Sequence, residues 1–202
     1  MSTTRRFSIF DLLRFNNVNL DPLTETYNMS FYTHYLAKWP EYCFSVTAPQ
    51  GRPMGYVLGK AEDFHSEPNS WHGHVTAVTV PPEYRRLGIA AQLMVMLERV
   101  SEWDGAFFVD LFVRESNALA IGMCAAPPPC PLPLAAAAAN PRLTDASRRL
   151  RYKALGYKTY RQVIGYYSGE EDALDMRKAC SRDPEKKSMI PLPEPVYPDE
   201  LD

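Results

Sequence analysis

The chain has 202 residues, of which 46% are hydrophobic and 12% aromatic, enough to bury one substantial core. Its formal net charge of −2 offers no basic field to draw in nucleic acid or an anionic membrane, so any polyanion must be held locally. Four cysteines without a CxxC pair (Cys43, Cys124, Cys130, Cys180) and no apolar leader behind MSTTRRFSIF argue against a disulfide framework, a zinc site and an export signal, and predict a soluble cytoplasmic protein.

Arg6 to Ile9 alternates weakly and reads as a first strand, followed by a short helix opening at Asp11 and a polar loop from Asn17 to Asn28. Ser30 is placed to cap a helix carrying Phe31, Tyr35, Leu36 and Trp39, which Pro40 stops. Tyr42–Ala48 and Met54–Lys60 flank a Pro-Gln-Gly-Arg-Pro turn and predict a hairpin. A strand His72–Val80, a helix from Leu87 to Trp103, an apolar strand Ala106–Val113, a helical start at Asn117 and a last strand Tyr160–Tyr167 complete the pattern. That order predicts an α/β fold with a mixed central sheet flanked by helices. Two segments stand apart: a Pro/Ala-rich stretch at 124–151 and a Pro-rich charged tail at 179–202, leaving 1–178 as one interrupted domain.

The junction Val78-Thr79-Val80-Pro81-Pro82-Glu83-Tyr84-Arg85-Arg86-Leu87-Gly88-Ile89-Ala90 puts a strand, a turn and a helix start in succession. Small residues at Gly88 and Ala90 let a diphosphate approach backbone N–H groups, where the helix dipole favours its charge. Read without that ligand, the same residues make a tight strand-to-helix turn. His72 and His74 share one side of a strand, the spacing of a metal pair, but no third ligand is evident and no metal is expected.

Arg85-x-x-Gly88-x-Ala90 resembles the acetyl-CoA motif of the GNAT superfamily. DLLRFNN (Asp11–Asn17), NLDPLTETY (Asn19–Tyr27), WHGHVTAVTV (Trp71–Val80), FFVDLFVRESN (Phe107–Asn117) and LGYKTYRQVIGYY (Leu155–Tyr167) narrow the resemblance to catalytic subunits of NatB-type N-terminal acetyltransferases. It covers nearly everything except 124–151. The resemblance implies a GNAT fold in which His72–Val80 and Ala106–Val113 splay apart around the thioester of acetyl-CoA, the cosubstrate. Val78 and Val80 would then engage the pantetheine through their backbones, and the N–H groups of Arg86, Leu87, Gly88, Ile89, Ala90 and Ala91, behind Arg85, would surround the diphosphate.

The same resemblance implies transfer of acetyl to nascent peptide N-termini beginning Met-Asp, Met-Glu, Met-Asn or Met-Gln. It gives Tyr152 the proton for the departing thiolate, and His74 and Asn117, assisted by Thr76, part of the recognition of the second side chain. Glu25 and Tyr27 would line the initiator Met and its amine, and Tyr166 and Tyr167 would hold the peptide backbone. His74 is also a candidate for polarising a water that takes the amine proton. Asn28 stands where the family commonly has glycine, an exchange that asparagine's tolerance of positive φ would make mild. A large helical-repeat auxiliary subunit, and the ribosome through it, are the implied partners, with Leu12, Phe15, Phe31, Tyr35 and Leu36, and the tail, as candidate contacts; core packing is the equally open reading of those early aromatics. Another GNAT enzyme acting on a different amine, or an acetyl-CoA-binding but impaired isoform, are the competing readings.

Removing 124–151 brings Asn117-x-x-Ala120-x-x-Met123 against Tyr152 and gives one helical face bearing Asn, Ala and Tyr. Two origins of the segment stay open: a retained in-frame intron, or a genuine insertion in which Asn140 caps a new helix, with Pro141 in its first turn, that carries Tyr152.

Overall fold

Alternation in Pro53–Glu62 sends Val57 and Ala61 to one side of a strand and Tyr56, Leu58, Lys60 and Glu62 to the other, and that division runs through the whole molecule. The computed structural model describes residues 2–20, 24–63, 70–124 and 155–201. In chain order these form β1 (Thr3–Arg6), a 3₁₀ turn Ile9–Leu13, α1 (Asn16–Asn19), α2 (Met29–Lys38), β2 (Phe44–Thr47), β3 (Pro53–Glu62), β4 (His72–Thr79) and α3 (Ile89–Trp103). Then come β5 (Phe108–Arg114), α4 (Ala118–Cys124), β6 (Lys158–Tyr167) and β7 (Glu171–Ala179). The strands make one sheet in the order β1-β2-β3-β4-β5-β7-β6. Every described neighbouring pair is antiparallel except β4 with β5, which α3 connects as a crossover.

One face of the sheet carries α3 and α4. Leu93, Met94 and Leu97 of α3 are fully buried against Val57, Val75, Val109 and Leu111, each large side chain contributing about 2 kcal/mol by leaving water. The opposite face carries an aromatic cluster in which Phe15 stands edge-on to Tyr32 at 5.1 Å and meets Tyr56 at 5.7 Å. That cluster covers β2 and β3 and stops at β4.

Several expected boundaries move. The first strand lies at Thr3–Arg6 rather than 6–9, because Ser8 N–H donates to the Asp11 carboxylate at 2.8 Å and turns the chain into the 3₁₀ segment. Asn28, not Ser30, caps α2: its Oδ1 accepts from Phe31 N–H at 2.9 Å, and its φ of −73° means that positive-φ tolerance is not used here. Helix α3 begins at Ile89, two residues later than expected, because Gly88 sits in the left-handed region at φ 81°. The strand Glu171–Ala179 was not expected at all, yet it lies between β5 and β6. Leu12, Phe15 and Tyr35, for which partner contact and core packing were both open, are buried in the aromatic cluster, whereas Ile9, Phe10, Leu13, Leu20 and Met29 are exposed.

The tail returns along β6. Leu192 N–H donates to Tyr160 O at 2.7 Å, Val196 N–H to Gln162 O at 3.0 Å, and Ile164 N–H to Val196 O at 2.9 Å. This backbone pairing covers part of an otherwise open sheet edge.

Candidate active site

Strands β4 and β5 pair in register only from His72↔Phe108 to Val75↔Leu111. Beyond that point β4 continues to Thr79 against β3 alone, and β5 continues to Arg114 against β7. The two central strands therefore part. A bulge widens the opening: Leu58 faces Ala77 and Gly59 faces Val75, so Thr76 is the extra residue, and its hydroxyl shares a 3.0 Å hydrogen bond with Tyr35.

The strand that parts leads straight into the turn. Val78 and Val80 lie half-buried at its end, and Arg85 Nε donates to Val80 O at 3.2 Å. Arg86 takes φ 63° and Gly88 φ 81°, two left-handed residues that reverse the chain before α3. The first bond inside the helix is Gln92 N–H to Gly88 O at 2.9 Å, so the amides of Ile89, Ala90 and Ala91 precede it and face outward from the helix end. With 15 residues of α3 behind them, these amides suit an anion such as a diphosphate.

On the face of the sheet that the aromatic cluster leaves open, register aligns Lys60, His74, Asp110 and Arg177 on four neighbouring strands. Lys60, His74 and Asp110 of that row line a cavity of about 200 Å³ together with His72, Phe112, Arg161, Tyr166 and Leu201. His74 Nδ1 lies 2.9 Å from Asp110 Oδ1, and His72 Nε2 lies 3.8 Å from the other carboxylate oxygen. His72 also stacks on Phe108 at 4.7 Å, its Nδ1 2.6 Å from Ser70 O. Both histidines thus turn to one carboxylate. Burial works to raise the Asp110 carboxyl, but His74, then His72 and Arg177, bring it below the ordinary carboxylate range. Asp175, buried beneath, is raised by its burial and by Asp110, while Arg177 and Arg161 pull it back.

Two loops frame this cavity. Glu25 pairs with Arg114 at 3.0 Å, and the same guanidinium pairs with Glu171 at 2.9 Å and lies 4.0 Å above the Tyr167 ring. Tyr27 stacks on Phe31 at 4.1 Å, and burial raises its hydroxyl far above the ordinary phenol value. Tyr166 rests on Phe112 at 4.8 Å, whereas Tyr167 donates to Phe112 O at 3.1 Å and is pushed up to about 12, chiefly by burial. Ser116 and then Arg114 hold the Glu171 carboxyl below its usual range.

Asn117 caps α4 through Oδ1, which accepts from Ala120 N–H at 3.1 Å. Tyr152, the expected thiolate partner, lies outside the described residues, as does 125–151. Yet the ends around that stretch meet: Leu155 N–H donates to Met123 O at 3.0 Å and Tyr157 N–H to Cys124 O at 2.8 Å, with Gly156 at φ 88°. Counted without 28 residues, those bonds span four and five positions, the last helical bond and the six-to-one bond of a Schellman cap with its left-handed glycine. The described ends of the stretch thus make the two hydrogen bonds found at a helix terminus, with the buried Cys124 directly after Met123.

Among the residues at this site that escaped the reading of the sequence are Asp110, Arg114, Arg161, Arg177 and Leu201. Only Asp110 carried a signal, a carboxylate inside the apolar run FFVDLFV, since such a charge demands partners.

Residues 11–126 match the family model described as Acetyltransferase (GNAT) family. The N-terminal acetyltransferase B complex catalytic subunit NAA20 of Arabidopsis thaliana is 54% identical over 203 aligned residues, covering 100% of this chain and 99% of that protein. The N-alpha-acetyltransferase 20 of Dictyostelium discoideum is 52% identical with the same coverage. Among solved structures, Chaetomium thermophilum Naa20 in complex with a bisubstrate analogue superposes with a TM-score of 0.77 at 36% identity, covering 98% of this chain and 97% of the other. The NatB acetyltransferase complex bound to a bisubstrate inhibitor gives 0.71 at 33% identity, with 99% of each chain covered.

Proposed function

Since this chain belongs to the acetyltransferase (GNAT) family, we propose that it is the catalytic subunit of a B-type N-terminal acetyltransferase, using acetyl-CoA to acetylate chains that begin with Met followed by Asp, Glu, Asn or Gln. The observation that carries the reading is the parting of β4 from β5 after Val75 and Leu111, directly beside a turn of outward-facing amides. A long thioester needs such a slot, with its diphosphate at one end and its reactive carbon at the other.

In this reading the amides of residues 86–91 take the diphosphate, and the backbones of Val78 and Val80 hold the pantetheine arm. A β4 N–H near Val78 receives the charge that develops on the thioester oxygen. The peptide enters from the opposite face, between the Glu25–Tyr27 loop and the Tyr166–Tyr167 strand end. There the site fixes the amine close to the carbonyl, and positioning supplies much of the rate. His74, Thr76 and Asn117 border the second side chain; a site built from polar groups rejects an apolar residue that would strand them. Tyr152 is the proposed donor to the departing thiolate.

The auxiliary subunit of such a complex has a surface to meet. Ile9, Phe10, Leu13, Leu20 and Met29 stand exposed on the α1–α2 side, a concentration of apolar side chains that a partner would cover. A cytoplasmic location and docking to the ribosome through that partner complete the proposal. The test is acetyl transfer by the purified chain, alone and with its auxiliary subunit, to Met-Asp, Met-Asn, Met-Leu and Ser-led peptides. Transfer to the first two at least about tenfold above the others supports the reading; preference for Met-Leu or for a lysine side chain ends it.

A further inference from the structure

The tail that runs along β6 finishes in a turn of defined shape. Val196 bridges Val163 in parallel, and beyond it Pro198 opens a short 3₁₀ turn, Pro198–Glu200, with its φ set in advance. The Glu200 carboxylate closes that turn by accepting from Tyr197 N–H at 2.8 Å, and Leu201 N–H donates back to Pro198 O at 3.2 Å. Prolines at 191, 193, 195 and 198 leave the strap few other conformations. From 191 to 200 every side chain is exposed except the half-buried Val196; Leu201 then dips inward and is half-buried too. It enters the wall of the 200 Å³ cavity together with His74, Phe112 and Tyr166. We propose that Leu201 is a specificity-determining residue, setting the depth of the cavity open to the second side chain of the peptide.

Size and chemistry lead there. Sites for whole small ligands run to about 300–1,000 Å³, so a space of about 200 Å³ suits a single side chain. Most of its lining can meet a polar group: Lys60, His74 and Arg161 carry N–H donors around it. A leucine among them offers neither donor nor acceptor. What it contributes is volume, and the exclusion of water from the polar walls opposite. The origin of the side chain matters as well. His74 and Phe112 stand on central strands, whose places the ladder fixes, whereas Leu201 is carried in by a strap laid on β6 from outside. Its length therefore sets how far the wall reaches without any shift of the sheet beneath. A cavity closed in this way distinguishes side chains of the same polarity by their length. This deepens the proposed function and rests on it for the identity of the substrate.

The test compares Met-Asn with Met-Gln peptides, and Met-Asp with Met-Glu, on the full chain with its auxiliary subunit. Each pair differs by one methylene, and one methylene more or less in a fitted pocket changes kcat/KM by about 10- to 200-fold. Leu201→Phe lengthens the wall, so the ratio of kcat/KM for Met-Gln over Met-Asn falls about tenfold. Leu201→Ala, and a chain stopped after Val196, shorten it and raise the same ratio several-fold. The KM for acetyl-CoA stays put in all three. A merely structural role would move both peptides of a pair together and leave the ratio alone. In the unaltered complex with CoA bound, the Leu201 methyl signals shift when Met-Asn peptide is added, and those of the exposed Leu13 do not. Ratios within about twofold of the unaltered chain's in both substitutions, a ratio that moves the same way in both, or Leu201 methyl signals that stay still overturn the inference. A complex that acetylates none of the four peptides sinks the proposed function instead. Methyl-to-ring contacts of Leu201 with Phe112 or Tyr166 then still judge the wall, and their absence overturns it.

Discussion

Two deletions of equal length separate the architecture of α4 from its chemistry. Removing 124–151 joins Met123 to Tyr152, whereas removing 125–152 keeps Cys124 in that place; both preserve the bond of Leu155 N–H to Met123 O, which becomes an ordinary helical one. Closing a loop of about 30 residues costs roughly 3 kcal/mol by the (3/2)RT ln n rule, so each deletion stabilises the fold by up to about that amount. For a domain of this size the melting temperature rises by roughly 6–12 °C. Calorimetry with acetyl-CoA absent measures it, and both deletions give matching values. Turnover then divides them: with a tyrosine to protonate the thiolate, the 124–151 deletion runs on the order of 10²-fold faster than the 125–152 deletion. Equal turnover removes the tyrosine from the mechanism at this position. A melting temperature that falls in both refutes the helical reading of the Met123–Leu155 junction.

Gly88→Ala forces a side chain into φ 81° at a cost of about 1 kcal/mol and disturbs the amides beside it, so the KM for acetyl-CoA rises at least about tenfold while the KM for peptide changes little, as initial rates will show. Arg114→Ala removes the cation that Glu25 and Glu171 share; its ion pairs are screened by solvent, so the denaturation midpoint hardly moves, but the peptide KM rises several-fold. Asp110 gives the stability profile its sign. Its folded-state pKa is depressed, so its contribution is complete above the unfolded value of about 3.9 and is lost as pH falls through the lower folded value. Urea midpoints measured from pH 6 down to pH 3 therefore decline, and less steeply in Asp110→Asn; identical slopes would contradict the assignment.

The order of strands and helices up to α3 was legible because each segment obeys its own period: alternation in β3 and β4, a wide apolar stripe in α3, and the Pro-Gln-Gly-Arg-Pro turn between β2 and β3. Strand β7 was not. Asp172, Asp175 and Arg177 give EDALDMRKA the look of a loop, yet Leu174 and Met176 point to the α3 side while Asp175 and Arg177 sit beneath the polar floor of the cavity. A central strand with charges on one face is intelligible only once the charges across from it are known, and sequence order hides that. The turn at Arg85–Ala91 was visible as a local motif, since its anion site is made of consecutive backbone. Arg114 could not be found this way, because Glu25, Tyr167 and Glu171 come to it from distant parts of the chain.

The short registered stretch between β4 and β5 divides the sheet into two leaves, β1–β4 and β5–β7–β6, joined in the ladder by four residue pairs. Beyond those four pairs no described ladder joins the two leaves. A molecule lodged in the gap beyond Val75 and Leu111 spans both leaves and acts as a rivet, tying together what the backbone alone leaves apart. Ligand capture and the cohesion of the sheet are then one event, and amides flanking the seam exchange with solvent more slowly whenever the slot is filled.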